Sequence, residues 1–277
     1  MLDTAADQSE GLRHWMPQSA AQGVRVMAMV SRGEARTEQP LLWQICTSLQ
    51  GLGHSVAVLD GTTAESDDNP GLQNLLDHAH WLEPVQGDAA WQIVPARVGL
   101  IELVERARLA SEDKEEDKED DMPLQPLGAL FKNFHVVLVY ARADVLISLL
   151  PGTRVRPLLA IAPSKNSIVN GYQTLKRLQQ QADLMPLLVS LVTGPLKAAE
   201  TRATVAARSL QRCVQTYLGY QTEVLSVRSY AQHDKPSQDA PRLALRLLES
   251  ALDIGPGWPA SYHQPVGFSA AHTARRQ

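Results

Sequence analysis

The stretch SRGEARTEQPLLWQICTSLQGLGHSVAVLD, residues 31–60, decides how the chain folds. It leaves an apolar run, VRVMAMV (24–30), and passes through a segment with apolar residues at helical spacing. It then turns at Gly53 and enters a second apolar run that ends in Asp60. Strand, helix and parallel strand form the unit with which a nucleotide-binding α/β domain begins. The glycine-rich loop and lysine that hold phosphates in such a unit are missing.

Outward from this unit the alternation continues. SVAVL (55–59), WQIV (91–94), VVLVY (136–140), PLLAIA (157–162), PLLVSLV (186–192) and TEVLSV (222–227) are apolar runs of strand length, as expected of strands covered on both faces. Helical spacing marks 38–50, 98–110, 166–182, 198–217 and 241–252. The pattern predicts one α/β domain over residues 23–254, a doubly wound, mostly parallel sheet of about seven strands with helices on both faces. Residues 1–22 precede it as a flexible segment, 111–122 form an acidic insertion, and 255–277 form a disordered tail rich in Gly, Pro, His and Ala.

With 277 residues, 44% of them hydrophobic and 20% charged, the chain has ample material for a core. Cys46 and Cys213 are isolated thiols, which suits a reducing cytosol and argues against a disulfide framework or a zinc site. The first fifteen residues lack the basic and apolar blocks of a secretory signal. The greasiest region, Val136 to Leu150, is interrupted by Arg142 and Asp144 and cannot span a bilayer. Of the net charge of −4, residues 111–121 carry −6, so the remainder is +2. No basic stripe points to nucleic acid.

The 31–60 unit resembles the deviant Walker A region of the MinD/ParA ATPases, roughly S-G-K-G-G-V-G-K-T, a helix, a turn glycine and a strand ending in aspartate. Laid without gaps from Ser31, the turn glycine is Gly53 and the aspartate Asp60. WQIVPARVGLIEL (91–103) and LLAIAPSKNSIVNGYQTLKRL (158–178) are similar to two further family segments, with Tyr172 and Lys176 in register, and PLLVSLVTG to a later strand. The likeness covers about residues 24–226 and implies a P-loop NTPase fold using ATP and magnesium.

The departures fall on the chemistry. Gly33 stands at the deviant lysine position, Glu38 at the phosphate-loop lysine and Gln39 at the magnesium-binding hydroxyl. Arg32, Glu34, Ala35 and Thr37 replace glycines whose backbone N–H groups would cradle phosphates. Glu34 and Glu38 are expected to put negative charge where a triphosphate sits, and Pro40 to lie in the helix's first turn. Tyr140, expected at the end of its strand, replaces the Walker B aspartate, and Thr62 replaces the second acid of an early D-x-D. Asp60 remains, as a polar rim residue or a helix cap. From these substitutions we expect that hydrolysis is lost, that no cofactor is held, and that ATP-driven dimerisation and membrane switching disappear with them, leaving a monomer.

Ahead of the domain, residues 7–13 read DQSEGLR. Flagellar number regulators of the MinD class (FlhG/FleN type) carry a similar D-Q-A-x-x-L-R motif, matched here by Asp7, Gln8, Leu12 and Arg13. Asp7 and Glu10 are spaced as a helix cap and its partner, and Leu12, Trp15 and Met16 form one apolar face before Pro17. So short a helix orders only on docking. The resemblance implies that it stimulates the flagellar signal-recognition-type GTPase (FlhF), with Gln8 ordering the attacking water in trans, Arg13 anchoring, and Asp7, Leu12 and Trp15 completing the contact.

The same resemblance implies binding to flagellar switch (C-ring) proteins and recruitment to the cell pole or inner membrane through a partner. PRLALRLLESALDI (241–254) reads as a final core helix rather than a membrane-targeting one, so membrane contact is at most weak or indirect. The histidines of DHAHW (77–81) are two apart and fit a solvated helix end better than a metal site. Arginines in PARVGL, YARAD and GTRVRP suit anions or ordinary surface charge. Two other readings stay open: a working ATPase with a rearranged nucleotide loop, and a MinD-like accessory of another envelope system such as cellulose secretion.

Overall fold

A computed structural model describes residues 23–78, 80–84, 91–112, 123–192, 196–228 and 238–255. Its centre is β1 (Val24–Ser31), in which every residue but Arg25 is buried. Side chains on a strand alternate between faces. Val24, Val26, Ala28 and Val30 accordingly join one apolar layer, and Met27 and Met29 the other.

After β1 come α1 (Ala35–Gly51), β2 (Val56–Asp60), α2 (Leu72–His78), β3 (Trp91–Pro95), α3 (Arg97–Glu112), α4 (Pro126–Leu130), β4 (Val136–Arg142) and α5 (Ala143–Leu149). Then follow β5 (Leu158–Ile161), α6 (Lys165–Ala182), β6 (Leu187–Val192), α7 (Leu196–Leu218), β7 (Val224–Arg228), α8 (Ala240–Glu249) and β8 (Leu252–Ile254). Seven strands are parallel in the order β3-β2-β4-β1-β5-β6-β7, and β8 pairs antiparallel with β1. This is the doubly wound, mostly parallel sheet expected from the runs of apolar residues. Leu41, Ile45 and Leu49 of α1 and Leu243, Ala244 and Leu247 of α8 cover one face. Leucines of α2 to α7 cover the other.

Local chemistry ends the elements where they end. The turn glycine of the opening unit, Gly53, sits at φ +86°, a region costly for other residues. Ser164 caps α6, its hydroxyl accepting from the Ser167 N–H at 3.2 Å.

Several boundaries differ from the sequence pattern. α1 begins at Ala35 rather than near Glu38, because the Glu34 carbonyl accepts from the N–H groups of Thr37 and Glu38 and opens the helix there. Pro40 therefore lies inside the helix, beyond its first turn. β4 runs two residues past Tyr140. Residues 241–254 are not one helix: α8 stops at Glu249, and Leu252–Ile254 pair with Val24–Val26. β5 meets β1 only at Met29, so the first half of that β1 edge is free for β8 to satisfy. α3 reaches Glu112, taking the first two residues assigned to the acidic insertion. α2, α4 and α5 are too short to impose a helical period on the sequence. Among the described residues, no helix is long and apolar enough to cross a membrane.

Candidate functional site

In a parallel sheet of this kind, ligands sit outside the carboxyl ends of the strands, where the chain order reverses. Here β4 lies on one side of β1 and β5 on the other, and both β1 and β4 deliver polar residues to that end. Met29 is level with Tyr140, so the residues just beyond Met29 lie beside the Tyr140 phenol.

Glu38, in the first turn of α1, is fully buried and turned beneath the loop. Its carboxylate accepts from the Tyr140 hydroxyl at 2.7 Å, the Arg32 N–H at 3.0 Å and the Ser31 hydroxyl at 3.4 Å. Burial raises the Glu38 carboxyl above its ordinary range, against the pull of these donors and of the Arg32 charge. Burial raises the Tyr140 phenol as well, and the adjacent carboxylate adds to that.

Arg32 completes the network. Its guanidinium donates to the Ser167 carbonyl and hydroxyl, each at 2.9 Å, and pairs with Glu34 at 3.1 Å. Nε faces Glu38 at 3.9 Å, beyond hydrogen-bond distance. Burial lowers the Arg32 pKa, with Glu34 and Glu38 opposing. Glu34 in turn accepts from the Ser167 hydroxyl at 3.3 Å. The Gly33 N–H is directed to the Ser31 hydroxyl at 3.4 Å, with Gly33 at φ +79°. In the short link between β1 and α1, the Arg32 and Gly33 amides and the Arg32 and Glu34 charges thus have partners within the chain.

Beside this network, Asp60 accepts from the Thr62 N–H and hydroxyl, at 2.9 and 2.6 Å, and from the Thr63 hydroxyl at 2.7 Å. It closes a local turn in the manner of aspartate elsewhere. A crevice of about 700 Å³ opens next to it, bounded by Ser31, Arg32 and Gly33 on one side and by residues of α3, β4 and α6 on others.

No protein-family model matches the chain, and no curated protein does. Among solved structures it is similar to the MinC:MinD cell division protein complex of Aquifex aeolicus, at 13% identity and a TM-score of 0.51, over 83% of this chain and 98% of that one. The fold is that of the MinD/ParA-type P-loop ATPases. Cobyrinic acid a,c-diamide synthase of Mycobacterium smegmatis (18% identity, TM-score 0.49, covering 82% and 94%) and MinD of Aquifex aeolicus (12%, 0.47, covering 83% and 100%) are also similar.

Within this MinD-like fold, Ser31, Gly33, Glu38 and Asp60 gather at the carboxyl end of the sheet, while Gln39 is exposed on α1. Glu34 and Glu38, the two acids expected to put negative charge at the loop, both have partners within the chain. Glu34 is neutralised by Arg32, and Glu38 is buried against Tyr140. The substitutions at 38 and 140, separate in the sequence, are partners in one bond. Ser167 carries no signal in the sequence, since nothing in SKNSIV distinguishes a serine that receives an arginine 135 residues away. Asp7, Gln8, Leu12, Arg13 and Trp15 lie outside the described residues. Among the described residues no cluster of three or more metal-ligating side chains occurs, and His78 of DHAHW contacts the Asn74 carbonyl at 3.0 Å.

Proposed function

We propose that this chain is a regulatory scaffold of flagellar number and placement, of the FlhG/FleN type, that does not hydrolyse ATP. It acts through DQSEGLR on the partner signal-recognition-type GTPase. The observation that carries this reading is the placement of Asp7, Gln8, Leu12 and Arg13 shortly before β1 of a MinD-like fold. The state of the opening loop supports the first half. A phosphate loop needs free amides in a nest and a lysine. Here α1 begins at Ala35, the Arg32 and Gly33 amides have internal acceptors, and Glu38 and Tyr140 occupy each other. These residues do not fit a magnesium nucleotide.

In the second half, Gln8 orders the water that attacks the partner's bound GTP, while Arg13 and the Leu12/Trp15 face hold the segment on that partner. Completing a GTPase site in trans accelerates hydrolysis by about three to five orders of magnitude in known cases. Recruitment to the pole or inner membrane and binding to switch proteins follow from the same reading. The test is GTP turnover by the purified flagellar GTPase alone, with this protein, and with its Gln8→Ala variant. Stimulation that disappears in the variant upholds the mechanism. No stimulation by the intact chain leaves a MinD-like scaffold of another envelope system. Magnesium-dependent ATP turnover by the chain itself overturns the assignment of a silent loop.

A further inference from the structure

The crevice beside the Arg32 network has a chemistry that the regulatory reading does not use. Four arginines line it, Arg32, Arg97, Arg142 and Arg177, against one carboxylate, Asp144. Arg142 is engaged with Asp144 through Nε at 3.1 Å and Nη2 at 2.8 Å. Arg32 is engaged with Glu34 and Glu38. Arg97 and Arg177 are exposed, and among the described residues neither has an ion-pair partner.

Two backbone N–H groups at the start of α3 are already occupied and do not compete for a ligand. The N–H groups of Val98 and Gly99 both donate to the Glu65 carboxylate at 2.8 Å. That helix terminus already holds an anion of its own, and the remaining positive charge resides in the guanidiniums. On α6, Asn170, Gln173, Thr174 and Arg177 recur at helical spacing and line the crevice together. With Arg32 and Arg142 paired, the charge left over on this concave wall is that of Arg97 and Arg177, and concavity focuses their field on whatever enters. Guanidinium is the side chain whose fork matches the two oxygens of a phosphate or carboxylate.

We propose that this crevice binds a compact polyanion, a small molecule with at least two phosphate or carboxylate groups. Arg97 from α3 and Arg177 from α6 hold it, with Arg142 and the amides of Asn170 and Gln173 completing the contact. The volume of about 700 Å³ falls within the span of about 300–1,000 Å³ usual for small-molecule sites. Recognition is by side chains, without a phosphate loop, a nucleobase or magnesium, and it is independent of the action of Gln8 on a GTPase.

Calorimetric titration of the full chain tests this with sodium tripolyphosphate, citrate, ATP with and without magnesium, and a synthetic peptide of residues 111–121. We expect one equivalent of tripolyphosphate or citrate to bind, more weakly as salt rises. Binding of the first alone identifies phosphate, and of the second alone carboxylate; ATP should bind no more tightly than tripolyphosphate. Arg97→Gln and Arg177→Gln each lower affinity about tenfold or more. Both side chains are exposed, so the variants should keep the wild-type melting temperature, which confirms that they fold. The proposal is overturned if neither small anion binds, or if both variants bind as well as wild type. It is overturned equally if only the acidic peptide binds, which would make the crevice a protein-docking surface. Nucleotide binding that requires magnesium and adenosine and ignores both arginines would also overturn it.

Discussion

Tyr140→Phe isolates the bond on which the reading of the silent loop rests. The phenol donates to Glu38 Oε2 at 2.7 Å, and the change removes one oxygen while leaving the ring in place. Oε2 then keeps only the longer contact to Ser31, at 3.4 Å, inside a fully buried site. A hydrogen bond to a charged group contributes about 1.5–3 kcal/mol and a neutral one about 0.5–1.5 kcal/mol. We therefore expect a loss of about 2 kcal/mol at pH 8, which for a domain of this size lowers Tm by roughly 4–8 °C. Because burial raises the Glu38 pKa, acid favours its neutral form, and the loss should shrink toward the neutral-pair range of about 0.5–1.5 kcal/mol as pH falls. Urea unfolding of Tyr140→Phe, Glu38→Gln and the double variant closes a cycle that isolates the pair. Single losses that add within about 0.3 kcal/mol would refute the coupling between these two residues.

Glu38→Lys introduces the lysine that the proposed reading says is missing, and it places an ammonium beside Arg32 in a buried site. It should cost about 3–5 kcal/mol in denaturant unfolding and leave ATP turnover at background. Glu38→Gln should also flatten the pH dependence of stability. With its pKa raised in the folded state, Glu38 stabilises fully below its unfolded value, and that contribution falls as pH rises through the folded one; acid-to-neutral melting curves check the difference. If α8 is a core helix, Leu247→Ala should lose about 2–4 kcal/mol while Leu245→Ala, at 47% exposure, stays within about 0.5 kcal/mol. Gly71→Ala brings a Cβ within 2.0 Å of the Pro95 carbonyl oxygen, a backbone atom that cannot swing away, so thermal melting should show a loss of about 2 kcal/mol or more.

Much of the architecture was legible because strands buried on both faces must be apolar along their whole length. Val136–Tyr140 and Leu187–Val192 have no second use for such a composition. Gly53 announced its turn for a similar reason, since few residues accept its backbone angles. The candidate site was legible in part. The absence of a glycine-rich loop and lysine at 31–38 needed no coordinates.

The limits of the sequence follow from the range of the interactions involved. Chain composition and local periodicity determined the parallel sheet and its covering helices, because each depends on residues a few positions apart. Only the tertiary structure could join Glu38 to Tyr140 across 102 residues, or Arg32 to Ser167 across 135. It also turned the end of 241–254 into β8, because the free edge of β1 demands partners that no local pattern announces. The gathering of Arg97, Arg142 and Arg177 at one crevice is likewise a product of strand order, which places α3, β4 and α6 around the same end of the sheet.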